Sequence, residues 1–299
     1  MASEFSSLVD SWRRDLRARN LAPKTIKTYG ESADQFVAWL EEEREVTAPA
    51  AVERDHIRGF TSHLLDTRSA ATASVRFRAL QQLFNWLVDE GELDASPMER
   101  MKPPTVPEQT TPVLTPDNAK ALLKKCAGRE YVDVRDTAII RLFLDTGMRL
   151  DELSGLKLED IDLDQNVAYV MGKGRRPRAC PFGNKTSQAL DRYIRQRNRQ
   201  KRADLPHLWL GVNGRPNMTD NGVGQMIRKR GKEADIPDLH PHMFRHTFAH
   251  EWRLAGGDDD SLMRLVGWKS RQMLHRYGAS AADARAHEAH KRLMLGDRI

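Results

Sequence analysis

The segment His240-Pro-His-Met-Phe-Arg-His-Thr-Phe-Ala-His250 decides how the rest of this chain is read. Pro241 suits the first position of a helix, where its missing N–H costs nothing. His242 and Arg245, three apart, then share one face of that helix near its electropositive start. Phe244, Phe248 and Trp252 recur at the four-residue spacing of an opposite, core-facing stripe. A helix that buries one side and carries an arginine and a histidine at its N-terminus is suited to holding an oxyanion such as a phosphate.

The full chain of 299 residues suits two domains rather than one small core. Pro97, Pro103, Pro104, Pro107 and Pro112 fall in a stretch of weak periodicity, Ser96 to Pro112, that reads as an extended linker. Charge divides at the same place. Residues 1–112 carry 14 Lys/Arg against 18 Asp/Glu, whereas 113–299 carry 34 against 24. An excess of that size in one half favours a polyanionic partner. In the first half the cations Arg13, Arg14, Arg17, Arg19, Lys24 and Lys27 are set apart from the acidic run Glu41–Glu45, so one face can still meet DNA. Cys126 and Cys180 make neither a disulfide framework nor a metal spacing. The start Met-Ala-Ser-Glu-Phe has no signal-peptide pattern, and no run of roughly 18 apolar residues is present to span a membrane. A soluble cytoplasmic protein is expected, and the basic excess alone fits an ordinary solvated surface as well as a nucleic-acid partner.

Helical periodicity runs through the first half. Phe5, Leu8, Val9, Trp12 and Leu16 line one helix over 4–19. Tyr29, Ala33, Phe36, Val37 and Leu40 line a second after Pro23. Ile57, Phe60, Leu64 and Leu65 line a third over 55–66, and Leu80, Leu83, Phe84, Leu87 and Val88 a fourth over 71–90 that Gly91 ends. A four-helix bundle follows, with room for a short fifth helix. The polar start of its last helix, Thr72 to Arg78, offers Ser74, Arg76 and Arg78 to a DNA groove, with Lys24 and Lys27 nearby on the second helix. A solvated first turn would look the same.

Beyond the linker, Thr115 caps a helix that Pro116 opens, and a second helix over 131–146 stops at Gly147. Arg149 and Glu152 follow directly. Val167–Met171 and Pro177–Pro181 read as short strands around the glycine-bracketed tip Gly172-Lys173-Gly174-Arg175-Arg176. Helices are expected over 186–203 and 219–234, the second presenting Gln225, Arg228 and Lys229. After the central helix, Asp260-Ser261 begin another that stops at Val266-Gly267-Trp268, and Tyr277 stands nine residues further on in a short helix begun by Ser270. The fold class is mainly α with a small antiparallel sheet. There is no internal repeat or low-complexity segment.

Singly, each notable side chain has an ordinary explanation: Arg149 an ion pair with Glu152, Lys173 a turn lysine, His242 a cap, Trp268 core, Tyr277 a helix-end aromatic. Taken in order, Arg149, Lys173, His242, Arg245, Trp268 and Tyr277 resemble the catalytic set of the tyrosine recombinases, the integrase and Xer group. Thr146-Gly-Met-Arg149 with Glu152 looks like that family's first box and Met171-Gly-Lys-Gly174 like its hairpin. His242 to Phe248 looks like the second box, and Leu265-Val-Gly-Trp268 through Tyr277 like the third. The resemblance implies a SAM-like core-binding domain over 1–95, the linker over 96–112, a catalytic domain over 113–280 and a tail helix over 281–299 that packs into a neighbouring protomer or stays local. Two departures stand out. Trp268 occupies a position where many members have His, and the chain begins at the core-binding helices without an arm-binding domain.

The chemistry accounts for these residue types. A phenol of pKa about 10 is a weak nucleophile at neutral pH unless cations or a base favour the phenolate. Arg149 and Arg245 can stabilise charge on a phosphate that Tyr277 attacks. Lys173 can protonate the leaving 5′ oxygen, and His242 can exchange a proton with Tyr277. Trp268 would pack on and bond the phosphate, and Glu152 would orient Arg149 or His242. A phosphotyrosyl bond conserves the energy of the broken phosphodiester, so religation requires no ATP and no metal, and no cofactor is expected. The family also implies double-stranded core sites, a homotetramer on DNA from monomers in solution, a Holliday-junction intermediate, and room for an accessory or directionality factor. Trp268 and the stretch Tyr277 to Arg285 point to a phage or mobile-element integrase. Xer-type dimer resolution and topoisomerase IB-like relaxation are the alternatives. His242, His246 and His250 are four apart, as zinc ligands on a helix can be, but they lack the His-Glu-x-x-His arrangement and any supporting cysteine.

Overall fold

Burial in the first helix follows the three- and four-residue helical spacing, with Phe5, Val9, Trp12 and Leu16 inside and Leu8 at the margin. The computed structural model describes residues 3–107, 112–172, 176–212, 215–271, 273–274, 286–287 and 290–294. The chain divides into two compact units, Met1–Gln109 and Thr110–Ile299.

The first unit holds α1 (Glu4–Ala18), α2 (Pro23–Arg44), α3 (Arg54–Thr67) and α4 (Ala70–Asp89). Ser3 caps α1 and Ser69 caps α4, each side chain accepting an orphan N–H of the first turn. Pro23 opens α2, and a 3₁₀ turn at Pro49–Ala51 leads into α3. Phe36 is the hub of the core. Its ring meets Phe5, Phe60 and Phe84 edge-on at 6.3, 5.1 and 6.0 Å between centroids, an arrangement that favours the positive ring edge over the negative face.

In the second unit Thr115 caps α5 (Pro116–Lys125), and α6 (Tyr131–Thr146) runs through the middle of the core with Val134, Ala138, Ile139, Ile140, Leu142 and Phe143 buried. Gly147 ends α6 in the left-handed region at φ 55°, and α7 (Leu150–Ser154) starts three residues later behind Arg149 as its N-cap. β1 (Ile161–Asp162), β2 (Val167–Gly172) and β3 (Arg176–Pro181) form an antiparallel sheet in that order. Its pairs Ala168↔Cys180 and Val170↔Arg178 share the inward face, whereas Tyr169 and Met171 point out. β1 escapes a reading by alternation because two residues carry no period.

α8 (Asn184–Arg197) stops six residues before its expected end. Arg197 is fully buried, and its guanidinium gathers the carbonyls of Ala203, His207 and Leu208, which folds the following chain into a loop. Thr219 caps α9 (Asp220–Glu233). α10 (Pro241–Leu254) carries the central segment. α11 (Asp259–Val266) begins at the cap Asp258 rather than at Asp260, because the Asp258 side chain accepts the Ser261 N–H at 2.7 Å.

The apolar stripe of α10 serves two cores. Phe244 stacks on Phe143 at 5.4 Å in the main one, while Phe248 and Trp252 join Leu262, Val266, Trp268 and Leu274 in a second. Among the described residues no helix is long and apolar enough to cross a membrane. The expected tail helix lies largely outside the described residues, including Ala282 and Ala289.

Candidate active site

Two glycine stops bring distant parts of the chain together. Gly147 closes α6, and a Cβ there would come within 2.8 Å of the Phe248 ring, so both its positive φ and the nearness of α10 require glycine. Gly267 closes α11 at φ 68°, where a Cβ would lie 3.3 Å from Arg178 and 3.6 Å from Arg149. The carbonyls exposed by these stops are claimed by arginines. Arg245 donates to Gly147 O at 2.8 Å and to Val266 O at 2.6 Å, and Arg149 donates to Gly267 O at 3.2 Å.

The arginine pair is not equivalent. The Arg149 side chain is 33 % exposed, whereas Arg245 is 2 % exposed. The Trp268 ring underlies Arg245 with the guanidinium carbon 5.4 Å from the ring centroid, a cation–π contact that a tryptophan makes better than other side chains. Trp268 thus packs on the arginine as well as in the apolar cluster with Leu262 and Val266. His242 stands exposed in the first turn of α10, with His246 edge-on at 5.0 Å between ring centroids.

Glu152 orients Arg149. It accepts the Arg149 backbone N–H at 2.7 Å and the side chain at 2.8 Å, capping α7 and aiming the guanidinium with one carboxylate. The same carboxylate also holds Arg178, which donates to both oxygens at 2.6 and 2.7 Å and to Leu265 O at 2.9 Å. Burial alone would raise the pKa of Glu152. The Arg178 and Arg149 hydrogen bonds outweigh it and hold the carboxyl at about 2. Sequence reasoning missed Arg178. Its signal was the alternation of β3, which turns residues 178 and 180 to the inner face and so places a cation where only a carboxylate can satisfy it.

Of the expected catalytic set, Arg149, Glu152, Arg245 and Trp268 meet in one place, with His242 on the helix that supplies Arg245. Lys173 and Tyr277 lie outside the described residues, as do Arg175 and the side chain of Arg176. Among the described residues no group of three or more His, Cys, Asp or Glu side chains can hold a metal ion.

The expected DNA contacts sort by exposure. Gln225, Arg228 and Lys229 stand exposed on one side of α9, and Lys24, Lys27 and Arg78 are exposed on α2 and α4. Ser74 is a correction. It is 3 % exposed, because the inward face of α4 already begins at Ala73, and it cannot reach a base or phosphate. Arg76 lies half-buried by a cleft of about 300 Å³ lined by Thr28, Glu31, Thr72 and Val75. Burial and the nearby Arg68 cation lower its pKa, and the Glu31 carboxylate acts in the opposite direction.

A model of the phage integrase family matches residues 112–284, and one of the phage integrase N-terminal SAM-like domain matches residues 8–91. The chain belongs to the phage integrase family. It is a tyrosine recombinase, an enzyme that breaks and rejoins DNA strands. It is similar to the tyrosine recombinase XerC of Thermodesulfovibrio yellowstonii, at 31 % identity over 252 residues covering 82 % of each chain. Two solved structures share the fold. XerH site-specific recombinase bound to palindromic difH substrate has a TM-score of 0.75 at 19 % identity, covering 95 % of this chain and 84 % of that one. The Tn1549 transposon integrase in complex with transposon right end DNA has a TM-score of 0.72 at 22 % identity, covering 96 % of this chain and 99 % of the other.

Proposed function

We propose that this recombinase integrates and excises a phage or other mobile element by site-specific exchange at double-stranded core sites, through a 3′-phosphotyrosyl intermediate and a Holliday junction. The observation that carries the reading is the meeting of Arg149, Arg245 and Trp268, from three separate stretches of chain, at the two glycine stops. In this account the Tyr277 oxygen attacks the scissile phosphorus, the bond to the 5′ oxygen breaks, and Lys173 delivers the proton that oxygen needs. His242 takes up the phenol proton. Arg149 meets the phosphate first, being the exposed member of the pair, and Arg245 stabilises charge as the phosphorane forms. Attack of a free 5′ hydroxyl on the phosphotyrosyl bond reverses these steps on another strand and releases the tyrosine. Four protomers act on two duplexes, assembled from monomers on the DNA.

A second reading, Xer-type resolution of chromosome or plasmid dimers, is favoured by the XerC relative. Suicide duplexes tiled from the genetic neighbourhood separate the two. A covalent band and joint products at the ends of an element support integration, and the same products at a resolution site support the second reading. A covalent band with supercoil relaxation but no joint product would point instead to topoisomerase chemistry.

A further inference from the structure

We infer that Arg178 is a positioning residue for strand cleavage, acting through Glu152 to fix Arg149 and tying the strand that leaves the Lys173 hairpin to the arginine pair. The proposal rests on the recombinase reading of this site. Its basis is a chain of short contacts. Arg178 grips both oxygens of Glu152, and the same two oxygens accept from the backbone and the guanidinium of Arg149. A carboxylate held by a single flexible arginine can swing with it. One clamped from the opposite side by a planar, two-point donor presents its remaining lone pairs in one direction. The third Arg178 donor goes to Leu265 O, two residues before Gly267, whose own carbonyl accepts from Arg149. Arg178 and Arg149 therefore both brace the C-terminal end of α11.

Placement in the fold gives this contact a further consequence. Residue 178 belongs to β3, paired with Val170 of β2, and the connection between these strands contains Lys173. Glu152 thus ties β3, the strand that begins three residues after Lys173 in sequence, to the N-cap of α7, so that strand and Arg149 share one carboxylate. The groups facing Glu152 are Arg149 from the start of α7 and Arg178 from β3, with Cys180 two residues on along the same face of that strand; burial pushes the Cys180 thiol up, so it stays neutral. No competing acid is needed to explain why two cations converge there.

The test measures single-turnover cleavage of a suicide duplex by the full chain at saturating DNA, together with duplex affinity by mobility shift. Arg178→Met should slow formation of the covalent adduct on the order of 10²-fold while affinity stays within about twofold. Arg178→Lys keeps the charge but only one donor direction and should recover about tenfold of that loss. Combined with Glu152→Gln, Arg178→Met should add little to the single change, since both act through one contact. A purely structural residue would give additive losses that track the fall in thermal stability, with no recovery by lysine, and that result overturns the proposal. If Arg178→Met does not fold, Arg178→Lys decides alone: a rate about tenfold below the unaltered chain at equal affinity supports the role, and a rate within twofold overturns it. An unaltered chain that forms no adduct on any core site overturns the recombinase reading, and this proposal with it.

Discussion

Glu152 and Arg178 are joined at two points, with Nη1 to Oε1 at 2.6 Å and Nη2 to Oε2 at 2.7 Å, inside a fold where the carboxylate is 3 % exposed. The carboxyl is held at about 2 against an ordinary 4.5. A depressed folded-state pKa contributes stability that is complete above the unfolded value and is lost as pH falls towards the folded one. The contribution, on the order of 3 kcal/mol, should therefore be present at pH 7 and disappear between about pH 4.5 and 2. Denaturant unfolding of the intact chain against Glu152→Gln across that window checks this. The variant should be the less stable above pH 5, because two cations lose their shared anion, and the gap should close towards pH 2.

The two glycine stops predict a graded series. Gly147→Ala faces both a left-handed backbone and the Phe248 ring at 2.8 Å, and should cost about 3 kcal/mol. Gly267→Ala adds a Cβ at 3.3 Å from Arg178, so about 1–2 kcal/mol is expected, with a loss of cleavage rate larger than that change in stability implies. Gly91→Ala has an equally positive φ of 77° but open space around it, and should cost about 1 kcal/mol with cleavage unchanged. Thermal unfolding and adduct formation on the three variants measure the series.

Neighbouring arginines on α9 should separate binding from folding. Arg228 is exposed, while Arg230 is buried among Asp133, Asp136 and Glu233 at 2.8, 2.9 and 3.1 Å. Arg228→Ala should weaken duplex binding and lower the slope of log affinity against log salt by about 1, leaving stability intact. Arg230→Ala should destabilise the chain by about 3 kcal/mol, since it strands buried carboxylates, without altering that slope in the fraction that stays folded.

Much of the architecture was legible because period and punctuation agree. Phe5 to Leu16 and Ile57 to Leu64 have the spacing their burial requires, and Thr115, Thr219 and Gly147 stand at the ends of their helices. What escaped depended on contacts between segments far apart in sequence. Arg178 is one of many basic residues until β3 turns it inwards onto Glu152, 26 residues away. Ser74 reads as part of a polar turn until the packing of Ala73 and Phe77 draws it inside. The early end of α8 is set by Arg197 collecting carbonyls from a loop that no local propensity records. That Arg245 is buried while Arg149 is exposed was equally invisible, since a motif spacing says which residues meet but not which of them is accessible.

Recombination by this chain requires that the phenol of residue 277 become covalently joined to DNA at the site built by Arg149 and Arg245. The direct measurement is mass spectrometric mapping of the peptide left on a trapped suicide duplex. A single 3′-phosphotyrosyl linkage at Tyr277 is expected, absent from Tyr277→Phe even though that variant binds the duplex as tightly as before. An adduct on any other residue, or one that persists in Tyr277→Phe, would contradict it.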